Sequence, residues 1–134
     1  VSGLDLLPTL VSAAGAAPVP GDGHPLQEFL DGRATRTSAL VQISESQVGR
    51  ALRTERHTYA VTGAGLGRLA RYRDSAADVY EEHLLYDNVE DPAQRHNLAG
   101  TPVTAELRRT LATQLEDEIE RMEGRRPRID VAPS

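Results

Sequence analysis

Leu107, Leu111, Leu115, Ile119 and Met122 recur every three or four residues near the end of the chain. That spacing puts apolar side chains on one face of an α-helix and would scatter them in a strand. Thr101 stands as a cap, Pro102 as a favoured first residue and Gly124 as a stop, which predicts a helix of roughly 22 residues, about 33 Å long. Arg108, Arg109, Glu116, Asp117 and Glu120 are placed on the other side, with Asp117 and Arg121 as an i,i+4 ion pair. A helix with one broad apolar stripe must lie on another layer, so the rest of the chain has to supply one.

That layer reads as an antiparallel sheet. Ala39–Ser44 is short and partly β-branched. Arg50–Thr54 and Thr58–Thr62 flank the polar break Glu55-Arg56-His57, the spacing of a hairpin. Leu66–Arg73 can resume as a strand after Gly63-Ala64-Gly65. Asp78–Tyr86 follows, with Tyr80, Leu84 and Tyr86 on one face at period two. Short strands in close succession, without helices between them, pair antiparallel. The fold class is α+β: a small antiparallel β-sheet of about four strands packed against the long C-terminal helix, preceded by a short helix.

The short helix starts at Asp5 as N-cap, continues through Leu6, Leu7, Leu10, Val11 and Ala14, and stops at Gly15. Pro8 is harmless there because a first-turn N–H has no helical partner. Ala16–His24 is a connection, and Pro25–Leu30 forms one helical turn with Leu26, Phe29 and Leu30 inward. In the loop Asp87–Gly100, Asp91 and Asn97 can bond backbone N–H groups, and Leu98 pins the loop beneath the long helix.

Composition removes several kinds of chemistry. All fifteen basic residues are Arg, against twenty Asp and Glu, for a net charge of −5. An acidic balance argues against nucleic acid as a partner. Without Lys there is no Schiff base and no phosphate-loop lysine; without Cys there is no thiolate, disulfide or cysteine zinc site. No apolar run approaches the ~20 residues that span a bilayer. His24, His57, His83 and His96 show no metal-ligand spacing. Asp87–Asp91 fails the calcium-loop pattern at Val89 and Pro92, and reads as a turn. Gly63-Ala64-Gly65-Leu66-Gly67 has Arg68 where a dinucleotide loop needs Gly, and reads as a connection. No G-x-S-x-G elbow occurs, and Ser44-Glu45-Ser46 is too generic for a triad. Arg125-Arg126-Pro127-Arg128 is a basic cluster, either a solvated tail or a docking site for an acidic partner. No catalytic, cofactor-binding or metal-ligating residue is assigned.

Three stretches resemble the C-terminal end of a sulfatase, in the alkaline-phosphatase-like superfamily. The first is Leu4-Asp5-Leu6-Leu7-Pro8-Thr9-Leu10 with Ala14-Gly15, Pro18-Val19-Pro20, Gly23-His24-Pro25-Leu26 and Leu30-Asp31-Gly32. The second is Arg50-Ala51-Leu52-Arg53-Thr54-Glu55-Arg56-His57-Thr58-Tyr59, with Thr58 where the family commonly has Lys. The third is Glu82-His83-Leu84-Leu85-Tyr86-Asp87-Asn88-Val89-Glu90-Asp91-Pro92, continuing to Asn97-Leu98-Ala99. A terminal helix follows, so the resemblance spans residues 4 to 124.

The resemblance implies that residues 1–37 are the helix and connecting loop from the edge of a larger α/β domain. Residues 38–124 are then a C-terminal subdomain, and 125–134 an extended tail. It implies a parent sulfuric ester hydrolase that uses Ca²⁺ and a formylglycine made from C/S-x-P-x-R. This chain has no Cys and no S-x-P, so those groups fall upstream. The chain is expected to support the site and to be inactive alone, with loops around Gln42–Gly49 or His57 as candidates for substrate contact. The missing N-terminal catalytic domain is the expected partner, and an exposed face along Leu6, Leu7, Leu10 and Val11 invites a homo-oligomer. No nucleic-acid or membrane partner is expected. A phosphate or phosphonate ester hydrolase of the same superfamily and a stand-alone binding module are the alternatives. The all-Arg, Ala-rich composition points to a GC-rich bacterial genome.

Overall fold

The computed structural model describes residues 1–44, 47–66 and 73–132. The chain divides into two compact units, Val1–Ala39 and Leu40–Ser134.

The first unit opens with a 3-10 turn over Gly3–Asp5, closed reciprocally by Ser2 and Asp5. Ser2 Oγ accepts from Leu4 N, and Asp5 Oδ2 accepts from Ser2 N at 2.6 Å. Helix α1 (Leu6–Ala13) continues from it and ends at Gly15, whose φ of +66° gives the left-handed stop that glycine adopts without strain. Asp5 precedes α1 as expected, but its side chain does not cap it. The carboxylate instead turns back to Ser2 N and across to His24 N, at 3.0 Å. Helix α2 (Leu26–Leu30) is the single turn expected. Leu26 and Phe29 are half-buried; Leu30, at its last position, is 86 % exposed rather than inward. Gly32 (φ +70°) folds the chain back so that Arg33 N and Ala34 N both donate to Glu28 O, which leaves Leu30 outside that turn.

The second unit holds a five-stranded sheet, whose first strand begins two residues before the unit boundary, in the order β1-β2-β3-β4-β5: β1 (Ser38–Ile43), β2 (Gly49–Thr54), β3 (His57–Gly63), β4 (Val79–Asp87) and β5 (Arg128–Asp130). Strands β2 and β3 form the expected antiparallel hairpin, with Leu52 opposite Tyr59 and Arg53 opposite Thr58. The break is two residues, Glu55 and Arg56. His57 already belongs to the strand, because Thr54 Oγ1 accepts from His57 N (2.8 Å) and so closes the turn. The strand expected at Leu66–Arg73 falls largely on residues 67–72, outside the described residues.

Strand β4 departs from a simple alternation. Ala60 faces Leu84 while the next residue, Val61, faces Glu82, so His83 is an extra residue in β4. The bulge shifts the period by one. The helix-facing side is therefore Tyr80, Glu82, Leu85 and Asp87, and Leu84 and Tyr86 do not share the face of Tyr80. The tail is not merely extended. Arg128–Asp130 pairs parallel to Val79–Glu81 as β5, and Ile129 enters the core.

Helix α3 (Ala105–Glu123) follows a 3-10 turn at Pro102–Thr104 and stops at Gly124 (φ +72°). Thr101 precedes it without a side-chain cap; its hydroxyl donates to Leu98 O instead. Leu111, Ala112, Leu115 and Ile119 lie on Val48, Leu52, Tyr59, Val61, Tyr80, Leu85 and Ile129. Tyr59, Leu85 and Leu115 are fully buried. Burying one such side chain contributes about 1.5–3 kcal/mol. The expected Asp117–Arg121 pair does not form: Arg121 reaches Glu118 and Asp117 takes Arg126. Among the described residues no helix is long and apolar enough to cross a membrane.

Candidate functional site

Of the two loops expected to contact substrate, Gln42–Gly49 and the one around His57, the latter lies where β2 turns into β3, at the end of the sheet where β4 runs into the loop after Asp87. The structure gathers Arg53, Arg56, His57, Thr58, Asp87, Asn88 and Gln94 there. Thr58 Oγ1 accepts from Arg53 Nη1 (2.8 Å) and Gln94 Nε2 (3.0 Å) and donates to Asn88 Oδ1 (2.8 Å). Gln94 Nε2 also reaches Asn88 Oδ1 at 2.9 Å. Gln94 holds φ +53°, an uncommon conformation for a side-chain-bearing residue. His57 is half-buried, and that burial lowers its pKa.

In the acidic stretch that follows, Asp87 and Asp91 both accept from backbone amides. Asp87 Oδ1 accepts from Glu90 N and Val89 N, and Oδ2 accepts from Arg56 Nε at 3.0 Å. The Glu90 amide foremost holds the Asp87 carboxyl below the usual range. Asp91 Oδ2 accepts from His96 N at 2.7 Å and is lowered for the same reason. Asn97 Oδ1 accepts from Leu85 N and Ala99 N, and its Nδ2 donates to His83 O. Leu98, half-buried, packs against the core. This is the turn-forming role the sequence predicted for Asp91 and Asn97.

Two arginines are buried beneath α3. Arg108, expected on the outer side, is 0 % exposed. Its Nη1 donates to Glu82 Oε2 (2.5 Å) and to Ala132 O (3.1 Å). Its spacing to Leu111, Leu115 and Ile119 is that of the apolar stripe, a signal that its charge masks. Tyr59 lies beside this pair, and burial, with the Glu82 carboxylate, raises its pKa. Arg50 donates from Nε and Nη2 to the two oxygens of Glu123, at 2.6 and 3.0 Å, and from Nη2 to Ser75 O. It ties β2 to the end of α3.

The histidines do not converge. His24 Nδ1 lies 3.3 Å from Glu28 Oε2 and its ring meets Phe29 edge-on, inside the first unit. His57 and His83 sit in different strands, and His96 is exposed beside Asp91. Among the described residues no group of three or more His, Asp or Glu could hold a metal ion. Arg126 is engaged by Glu116, Asp117 and Glu120, Arg125 by Asp78, and Arg128 by Asp130, so the tail cluster is turned onto its own chain. The candidate loop Gln42–Gly49 includes residues 45 and 46, outside the described residues. In the first unit a cleft of about 500 Å³ lies between α1 and the connection, lined by Val11, Pro18, Val19, His24 and Glu28 among others.

No protein-family profile and no curated protein matches the chain. Solved structures do. A protein described as a sulfatase from Bacteroides thetaiotaomicron VPI-5482 is 28 % identical, with a TM-score of 0.63 over 87 % of this chain. Another, described as the sulfatase yidJ from Bacteroides fragilis, is 25 % identical, with a TM-score of 0.57 over 87 %. BT4656, solved with its substrate D-glucosamine-2-N,6-O-disulfate, has a TM-score of 0.67 over 92 %, and at 20 % identity it speaks for the fold. The chain spans 24 % of the length of each. Together with the three sequence stretches, these likenesses are consistent with a C-terminal sulfatase-family domain.

Proposed function

We propose that this chain is the C-terminal portion of a sulfatase, a sulfuric ester hydrolase, in which it braces the catalytic domain and leaves ester cleavage to residues upstream. One observation carries the reading: the chain is matched over 87 % of its length by proteins of which it spans only 24 %. Helix α1 supports it by turning Leu6, Leu7 and Leu10 outward at 60, 59 and 68 % exposure. A neighbouring run of exposed apolar side chains marks a surface for another body. The catalytic domain is the occupant this reading assigns to it. Ca²⁺ and formylglycine would then act upstream, since the chain carries no C/S-x-P-x-R from which formylglycine is made. Alone, the same face favours self-association, visible by light scattering.

The test is turnover of an aryl sulfate with added Ca²⁺. These 134 residues by themselves are expected to give none, and the complete reading frame with an upstream C/S-x-P-x-R is expected to give turnover. Hydrolysis by the isolated chain would refute the bracing role. An aryl phosphate cleaved in preference by the complete protein would move the parent to phosphate esters.

A further inference from the structure

The contact between α3 and the sheet contains polar atoms that its own residues do not satisfy. Arg108 and Tyr59 are fully buried, and the Glu82 side chain is 1 % exposed. Arg108 makes its bonds to Glu82 Oε2 and Ala132 O from one nitrogen, Nη1. Among the described residues, Arg108 Nε and Nη2 and Glu82 Oε1 are buried without a hydrogen-bond partner, and the Tyr59 hydroxyl has only the Glu82 carboxylate beside it. A guanidinium–carboxylate pair commonly engages two nitrogens with two oxygens. Here the second nitrogen and the second oxygen are both left over, beside a phenol that feels the Glu82 charge.

The chemistry of the leftover atoms defines what satisfies them. Arg108 retains three N–H donors, one on Nε and two on Nη2, whereas Glu82 Oε1 can only accept. The Tyr59 hydroxyl can do either. Arg108 and Glu82 already cancel in charge, so an ion would leave an uncompensated charge in the interior. The occupant must be neutral and compact, and must both accept and donate. Water meets all of these, and buried waters typically make about three hydrogen bonds to groups that would otherwise go unpaired. Leaving such groups unmet is costly.

We propose that the Tyr59–Glu82–Arg108 cluster is an internal water site. The water accepts from Arg108 Nε–H or Nη2–H, donates to Glu82 Oε1, and bonds the Tyr59 hydroxyl. It links β3, β4 and α3 at the point where Arg108 also holds the tail through Ala132 O.

A crystal structure of this chain at about 1.5 Å decides it. The expected result is an ordered water within about 3.2 Å of Glu82 Oε1 and of Arg108 Nε or Nη2. In solution, the Arg108 Nε–H or Nη2–H resonance should show a dipolar cross-peak to a long-lived water. The proposal is overturned if Arg108 is found engaging both Glu82 oxygens, with Tyr59 donating straight to the carboxylate. Missing water cross-peaks from both the Nε–H and the Nη2–H of Arg108, each resolved, would overturn it equally.

Discussion

In Leu40–Ser134 the buried residues are mostly apolar, from Val48 on one side of the sheet to Ile129 on the other, with Leu111, Leu115 and Ile119 of α3 closing over them. In Val1–Ala39 the one buried residue is a carboxylate, Asp5, while Leu6, Leu7 and Leu10 face outward. Asp5 accepts from Ser2 N and His24 N and from Arg36 Nη2 at 2.7 Å. Arg36 in turn lies over the Phe29 ring. One unit is organised by hydrophobic burial, whose gain scales with area. The other is organised by directed bonds to a single charge and leaves its apolar surface exposed. Charge centres occur in both units, so the comparison can be broken at either.

The largest effect is expected in the second unit. Arg108→Ala strands Glu82 beneath α3 and should cost about 3–5 kcal/mol, read as a shift of the urea midpoint by far-UV circular dichroism. Replacing the pair together, Arg108→Met with Glu82→Leu, should recover much of that loss. A single variant as stable as the parent chain would mean that the pair is solvated. Leu98→Asp should cost about 2–3 kcal/mol by setting a carboxylate against the core, and unchanged thermal unfolding would count against the pinning role of Leu98.

These centres differ in how far the sequence revealed them. The α3 stripe was legible because its period is local. The same period places Arg108 within the stripe, but an arginine is ordinarily a surface residue, and only a partner from another strand makes its burial tolerable. Glu82 was hidden likewise, since the bulge at His83 that sets the face of β4 depends on how β3 pairs with it. Strand β5 is three residues after a proline and forms only because β4 offers its edge, so nothing in Arg128–Asp130 alone announces it. Asp5 looked like a helix cap because Asp favours that place. That His24 and Arg36 would converge on it is long-range information. The loop from Asp87 to Ala99 was read correctly because Asp and Asn side chains bond amides a few residues away. The polar end of the sheet was legible only as a neighbourhood of His57; its bonding among Thr58, Asn88 and Gln94 requires the folded chain.

In the first unit, Asp5→Asn should loosen the capping turn and the contacts of His24 and Arg36, at about 1–3 kcal/mol for bonds to a charged group. Faster hydrogen exchange at the His24 amide, with Leu85 N unchanged, is the expected pattern. Equal acceleration at both would merge the two units into one folding event. Acid provides the same contrast without mutation. Burial alone would raise the Asp5 carboxyl, but the His24 and Ser2 amides and the Arg36 guanidinium more than offset it, so the folded pKa lies below the ordinary value. As pH falls, the unfolded chain takes up the proton first. The stability Asp5 contributes is complete above the ordinary Asp range and is lost as pH falls through the lowered native value. Protection of the His24 amide should fall in that window in the parent chain, and the Asp5→Asn variant should lack this dependence.

The smallest expected effect is the sharpest test of why α1 looks outward. In this chain Leu10 is 68 % exposed, so Leu10→Asp should alter stability by no more than about 0.5 kcal/mol. In a protein of full sulfatase length, where the proposed catalytic domain covers that face, the same change would place a carboxylate in an apolar contact and lower the melting temperature by several degrees. The two measurements together read what the leucines are for. A small effect in both settings would leave α1 an ordinary surface helix and remove the main support for bracing. A large effect in the short chain would mean that Leu10 is already covered there, and the contrast between a core built on leucine and a unit built on aspartate would fail.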